Sequence, residues 1–396
     1  MIFENRPTQG LSRPAIGIRL PGRRRFLVAS LATLGGSAIS LLPSHSRATE
    51  TVALRQLAAD KGLLYGTTIA AAQITGDRPF IDLVLREAGI VVAENEMKWQ
   101  VMNLGAPGDD NYGPADMVAS FALENDIALR GHNLLWYYRT PDWFFDLNRR
   151  NEQERAVIER IEKLAGRYRG MVHSWDVVNE PIEPKDGRQD GLRTAVFLEA
   201  LGPEYLDLAY RVAREADPGS RLVLNEYDVE LDVPEHEARR TALLDLLQRM
   251  RRSGTPVDAV GIQAHLRAAG GPPFSPTRLR RFLADIAGLG LTIQITELDV
   301  TDETAPADET IRDSLVADAY RRFLDAALDE PAVKMVITWG LSDRHSWIVR
   351  RETHDSKWRS DDLPSRPLPF DADLRPKSAS EAIAHAFAHA PSRGGR

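Results

Sequence analysis

Cysteine is absent from the 396-residue chain, so disulfides and thiolate metal centres are excluded, and any metal would have to be held by His, Asp and Glu. No glycine-rich phosphate loop follows the first strand-like segment, which removes the signature of a nucleotide-binding doubly wound sheet. That segment, "LLYGTTIA" (63–70), also lacks histidine, and a metal-dependent hydrolase barrel usually begins with a His-x-His pair there. No repeat, low-complexity block or interdomain linker is legible after residue 50. The expectation is therefore a protein without metal or cofactor, whose chemistry rests on carboxylates and imidazoles.

Long apolar runs are nearly absent too. One stands out, "LVASLATLGGSAISLL" (27–42), behind Arg23, Arg24 and Arg25 and ahead of Ser46-Arg47-Ala48. It is short for a membrane span and contains glycine, so residues 1–48 read as a signal peptide with a twin-arginine look, removed on export to the periplasm or outside the cell. The formal net charge is −7, and residues 1–48 hold seven arginines against one glutamate, so the remainder carries −13. Such an acidic chain does not suit nucleic acid or an anionic membrane as partner.

The rest, 49–396, alternates short β-branched runs with helical patterns. Strand-like segments fall at 63–70, 90–96, 127–134, 172–180, 221–228, 257–266, 292–300 and 333–340. Between them lie stretches such as "ERAVIERIEKLAGRYRG" and "EARRTALLDLLQRMRRSG" with helical spacing. Eight nearly all-apolar strands alternating with helices predict a single (β/α)8 TIM barrel.

The strands share a peculiarity at their C-terminal ends, where apolar residues give way to Glu94 and Asn95, His132 and Asn133, Asn179 and Glu180, Asn225 and Glu226, Gln263 and His265, Glu297 and Asp299, and Trp339. A barrel gathers these ends on one face, the face that carries active sites in this fold. Glu180 and Glu297 each end a long apolar run, and their separation corresponds to strands 4 and 7, opposite one another across the mouth. Two facing glutamates are what glycoside hydrolysis needs, one to protonate the leaving oxygen and one to attack or to activate water; spacing alone leaves retention and inversion both open. Trp99, Trp136, Trp339, Trp347 and Trp358 follow strand ends, where indole faces can stack on sugar rings. Taken singly, His132 or His265 could be structural, Asn179 a helix cap, and Glu94 and Glu226 solvated rim charges.

"ENEMKW", "RGHNLLW", "WDVVNEP", "LNEYDVE", "GIQAHL", "ITELDV" and "TWGLSDRHSW", in this order and spacing, closely resemble the family 10 glycoside hydrolases, the endo-1,4-β-xylanases. The resemblance covers nearly everything after residue 55. It implies retaining hydrolysis of β-1,4-xylosidic bonds in xylan and xylo-oligosaccharides, with Glu180 as acid/base and Glu297 as nucleophile. Asn179 would meet the 2-hydroxyl of the reacting sugar, and His265, itself held by Asp299, would bond Glu297. Lys98, His132, Trp136 and Gln263 would line the subsite at the cleavage point, Glu94 and Asn95 the next glycone subsite, and Trp339 and Trp347 would close over both. A monomer is expected. Related β-glycanases, cellulases or mannanases, share the two glutamates, and a non-catalytic sugar-binding barrel would keep the tryptophans while losing one of them. Two departures are visible: the aromatic residue usual after the aspartate of the eighth-strand loop is His345, and the stretch around Trp358 is long and polar. For the chemistry to work, Glu180 must stay protonated near neutral pH, and repulsion from an ionised Glu297 is expected to help raise its pKa.

Overall fold

The computed structural model describes residues 52–271, 273–349 and 359–394. The export reading of residues 1–48 and the expectation for Trp358 lie outside the described residues.

Eight parallel strands form the sheet: β1 Leu64–Ile69, β2 Ile90–Ala93, β3 Ala128–Gly131, β4 Val172–Asn179, β5 Arg221–Glu226, β6 Ala259–Ile262, β7 Thr292–Thr301 and β8 Val333–Thr338. Each pairs with the next, and β8 returns to β1 in the register Leu64↔Met335 to Thr67↔Thr338, which closes the barrel. Every strand is followed by a helix that covers it, from Arg78–Glu87 after β1 to Ser378–His389 after β8. This is the (β/α)8 architecture that the alternation of apolar runs and helical patterns predicts. Two short strands, Leu135–Trp136 and His265–Arg267, extend the rim beside β4 and β7.

The helices dock by one apolar face each. In Arg78–Glu87, Phe80, Ile81, Leu83 and Val84 are buried, each stabilising the docked state by about 1.5–3 kcal/mol before entropy is counted. Asp77 starts that helix by accepting the Phe80 N–H at 3.1 Å, and Gly89 follows its end at Ala88. Among the described residues no helix is long and apolar enough to cross a membrane.

The barrel interior is not purely apolar. Arg130 on β3 and Asp176 on β4 form a fully buried ion pair, and the Arg130 Nε donates to Gln294 on β7 at 3.0 Å. A charged residue inside an apolar strand is costly unless paired. The pair is fixed from both sides, and Asp176 also accepts from His132 Nδ1 at 2.8 Å, so the polar layer ties the interior to the residues above it.

Candidate active site

The backbone changes conformation where the polar residues begin. Glu180 follows the last residue of β4 with φ +58°, unusual for a side-chain-bearing residue. Its N–H donates to Asn225 O on β5 at 2.9 Å, and its carbonyl accepts from Arg193 Nε at 2.9 Å. Just beyond Pro181, Ile182 donates to Glu226 Oε2 at 3.0 Å, and its carbonyl accepts from Arg239. These bonds hold the strained turn and point the Glu180 side chain into the mouth of the barrel.

There, Glu180 Oε1 accepts from Gln263 Nε2 (3.0 Å) and Asn179 Nδ2 (3.1 Å), while Oε2 accepts from the Trp136 indole N–H (2.9 Å). Across the mouth, Glu297 Oε1 accepts from Asn225 Nδ2 at 2.7 Å and Oε2 faces His265 Nε2 at 3.4 Å. The other ring nitrogen of His265 is 2.8 Å from Asp299 Oδ1, and Asp299 Oδ2 accepts the Trp347 indole N–H at 2.6 Å. Asn225 also donates to Asn179 Oδ1 at 2.8 Å, so an unbroken chain of amides runs from one glutamate to the other. Gly261 makes room for it: a Cβ there would lie 2.2 Å from Asn225 Oδ1.

Both glutamates are buried, yet their acidities diverge. Burial raises the Glu180 pKa; the Gln263 and Trp136 hydrogen bonds work against it, and the charge of Glu297 adds a smaller upward push. The expected repulsion from Glu297 is present, ranking behind desolvation and the two hydrogen bonds. For Glu297, burial also pushes upward, but the His265 hydrogen bond, the positive fields of His132 and His265, and the Asn225 bond together bring it down to about 2. One carboxyl is thus pushed toward keeping its proton and the other toward ionisation, the division of labour that acid/nucleophile pairs require.

The remaining predicted residues cluster beside this pair. Lys98 donates to Asn95 Oδ1 at 2.9 Å and lies over the Trp136 and Trp339 rings at 5.2 and 5.6 Å; Asn95 donates in turn to Glu94 at 3.3 Å. Burial lowers the Lys98 pKa, against the opposing pull of Glu297 and Glu94. His132 meets Trp339 edge-on at 5.2 Å, and His265 meets Trp347 at 5.4 Å. Trp99 does not join them. It is buried against Trp143 and Phe144, both at 5.7 Å, because the short helix Trp99–Met102 turns it away from the mouth into a cluster of rings. His345, the departure in the eighth-strand loop, bonds Asp77 Oδ2 at 2.9 Å and packs on Phe80 at 4.6 Å, so it fastens this loop to the helix after β1.

The supporting roles of several residues of the site escaped the sequence reading. Asn225 and Glu226 stood out as strand-end polar residues, but their supporting bonds depend on partners 46 and 44 positions away. Arg193 and Arg239 sit in surface-like contexts with no sequence signal. Glu230 is buried and accepts the N–H groups of Val229 and Ala264, both at 2.9 Å. Ala264 has φ +61° and separates Gln263 from His265, so Glu230 fixes the turn that aims one residue at each glutamate.

Asp228, Glu230 and His236 place potential metal-ligand atoms within 4.8 Å of one another. His236 Nδ1, however, accepts the Leu231 N–H at 3.1 Å, so in the neutral ring Nε2 carries the hydrogen and neither nitrogen presents a lone pair. Both Glu230 oxygens are engaged by backbone donors. The group fits a hydrogen-bonded cluster better than a cation site.

A closed barrel with two opposed, oppositely tuned glutamates and indoles around them defines the class of carboxylate-pair glycoside hydrolases. The sequence profile of Glycosyl hydrolase family 10 matches residues 53–386, and the chain belongs to this family. It is 33% identical to endo-1,4-beta-xylanase A of Fusarium oxysporum f. sp. lycopersici over 293 residues, 72% of this chain and 85% of that one. With endo-1,4-beta-xylanase 3 of Hypocrea jecorina the identity is 31% over 329 residues, 83% and 84% of the two chains. The crystal structure of xylanase 10B from Thermotoga petrophila RKU-1 in complex with xylobiose superposes with TM-score 0.75 at 28% identity, covering 85% of this chain and 98% of that one.

Proposed function

We propose that this protein is an endo-acting β-1,4-xylanase that cleaves xylan and xylo-oligosaccharides with retention of anomeric configuration, using Glu180 and Glu297. The observation that carries the reading is the opposite tuning of these two buried carboxyls on facing strands. Xylanase relatives and the xylobiose complex of a structural neighbour support the choice of substrate.

In the first step ionised Glu297 attacks the anomeric carbon while Glu180 gives its proton to the departing glycosidic oxygen. The resulting ester removes the charge of Glu297, which lowers the proton affinity of Glu180. Glu180 then takes a proton from water as that water attacks the ester, and both side chains return to their starting states. Asn225 and His265 hold Glu297 in one rotamer, and Gln263, Asn179 and Trp136 do so for Glu180, so little reorganisation is needed at the moment of reaction. Lys98, Asn95 and Glu94 supply polar contacts for sugar hydroxyls under Trp339 and Trp347. Residues 1–48 act as an export signal in this reading, and Arg24→Lys with Arg25→Lys would hold the precursor in the cytoplasm; mature protein beyond the inner membrane in that double variant would oppose a twin-arginine route.

Proton NMR of xylotetraose hydrolysis tests the catalytic reading. The β-anomer should form first and mutarotate later, with cellotetraose and mannotetraose cut far more slowly. Immediate appearance of the α-anomer would indicate inversion, and comparable rates on cellotetraose would indicate a cellulase.

A further inference from the structure

Arg139 lies in the short turn Tyr137–Arg139, immediately after Trp136, whose indole holds Glu180. Its Nη1 reaches Gln100, two residues beyond Lys98, so the guanidinium stands at the rim of the cleft on the Lys98 side. Its surroundings are poor in acceptors. The Gln100 contact is long, 3.4 Å, and goes to a neutral amide oxygen; the Nε–H is buried with no partner; and the remaining close neighbour is the exposed Tyr138 ring, 5.1 Å away. Among the described residues Arg139, which is partly covered, makes no ion pair; the buried Arg130, Arg239 and Arg312 each face a carboxylate, while the buried Arg160 and Arg393 are satisfied by several backbone carbonyls, and Arg139 has neither. A partly desolvated guanidinium without a counterion is an unfavourable state that usually has a reason.

Its neighbour sharpens the point. Arg139 and Lys98 are two cations close enough for Arg139 to weaken the hold of Lys98 on its proton. An acidic chain with net charge −7 has carboxylates to spare, yet among the described residues none is set against this guanidinium. A neutral sugar offers hydroxyl oxygens to it but no charge, while a carboxylate fits its planar fork with two parallel hydrogen bonds and relieves the repulsion with Lys98.

We propose that Arg139 is a specificity-determining residue that recognises a carboxylate carried by the substrate chain, a uronic acid substituent near the sugar that occupies the Lys98 side of the cleft. The inference rests on the reading of the cleft as a xylan site, in which a uronate branch is the acidic group at hand.

The test compares a xylo-oligosaccharide bearing one glucuronate branch with its carboxyl-reduced counterpart, which has the same shape without charge, and uses linear xylotetraose to report on the basic activity. In the wild-type enzyme at low ionic strength the acidic substrate should be favoured about fivefold or more in kcat/KM, and the preference should shrink as salt is raised. Arg139→Gln should bring the ratio of acidic to reduced substrate to about one, and Arg139→Lys should keep part of the preference. Because the readout is a ratio within each variant, a general loss of activity or folding does not imitate it. No preference in the wild type, or the same preference in Arg139→Gln, overturns the proposal. Failure of the wild type to cut linear xylotetraose would instead strike the xylanase reading itself.

Discussion

Asn225 donates from one amide nitrogen to both Asn179 Oδ1, at 2.8 Å, and Glu297 Oε1, at 2.7 Å. Its own carbonyl oxygen accepts from Thr296 at 2.7 Å, which fixes the orientation of the amide. Asn179 in turn donates to Glu180, so the two glutamates share a support, and a change at Asn225 should be felt by both.

Asn225→Ala should lower kcat by about 10- to 100-fold, the loss of a charge-assisted donor to Glu297, with a smaller change in KM. With that donor gone, the ionised form of Glu297 is less favoured, so the acid limb of the pH profile should move to higher pH. A kcat loss with an unmoved acid limb would place the damage elsewhere than at Glu297.

Trp136→Phe keeps a ring under the cleft and removes the N–H that Glu180 Oε2 accepts. That bond favours the ionised form, so its loss raises the Glu180 pKa, and the basic limb of kcat/KM should shift to higher pH. Glu297→Gln removes a like charge and should lower the Glu180 pKa, followed by carboxyl infrared titration. Since burial outweighs that charge, the downward shift should be modest. A Glu180 titration unmoved by either substitution would mean that desolvation alone sets it.

Glu230 is raised from 4.5 to about 7, by burial first and then by the charge of Asp228. Because its folded pKa lies above the unfolded value, its contribution to stability is present in full below about 4.5 and is lost as pH climbs through about 7; a shift of this size amounts to about 3 kcal/mol. Thermal stability should therefore fall from about pH 4.5 to about pH 7 more in the wild type than in Glu230→Gln, which cannot ionise. Glu230→Gln should also reduce kcat, since its amide offers one acceptor where the Val229 and Ala264 N–H groups need two. Parallel pH dependences in the two proteins would refute the titration of Glu230.

Trp347 is tied to Asp299 through its indole N–H, and in the proposed reading it closes over the cleft so that an added hydroxymethyl group on the sugar is crowded out. Aryl xylobioside should be cleaved at least about tenfold faster than aryl cellobioside in kcat/KM, equivalent to about 1.4 kcal/mol. Trp347→Ala should narrow this ratio; an unchanged ratio would move the steric filter to another residue.

Sequence by itself determined the barrel and the identity of its two central glutamates. Strand and helix patterns are local, set by side-chain period and turn residues, and a barrel turns eight local strand endings into one face. Glu180 and Glu297 were legible because each ends an apolar run, where a carboxylate has no structural use, and the strand count put them opposite one another. Strand ends were less legible: the reading 257–266 divides into Ala259–Ile262 and His265–Arg267, because Ala264 takes a positive φ that only the distant Glu230 carboxylate explains. Tertiary structure alone decided the rest. Trp99 follows a strand end like Trp136, yet one is sunk among rings and the other borders the cleft, a difference made by which way a four-residue helix turns. Which carboxyl holds its proton more tightly depends on burial and on donors more than 80 residues away, as with Gln263 and Glu180. Arg139 looks in sequence like any surface arginine, and only the lack of a carboxylate among the described residues around its folded position, with its buried Nε–H unpartnered, sets it apart. Sequence fixes each group's intrinsic affinity for protons and water, whereas the local dielectric and the count of partners exist only after the chain has closed on itself.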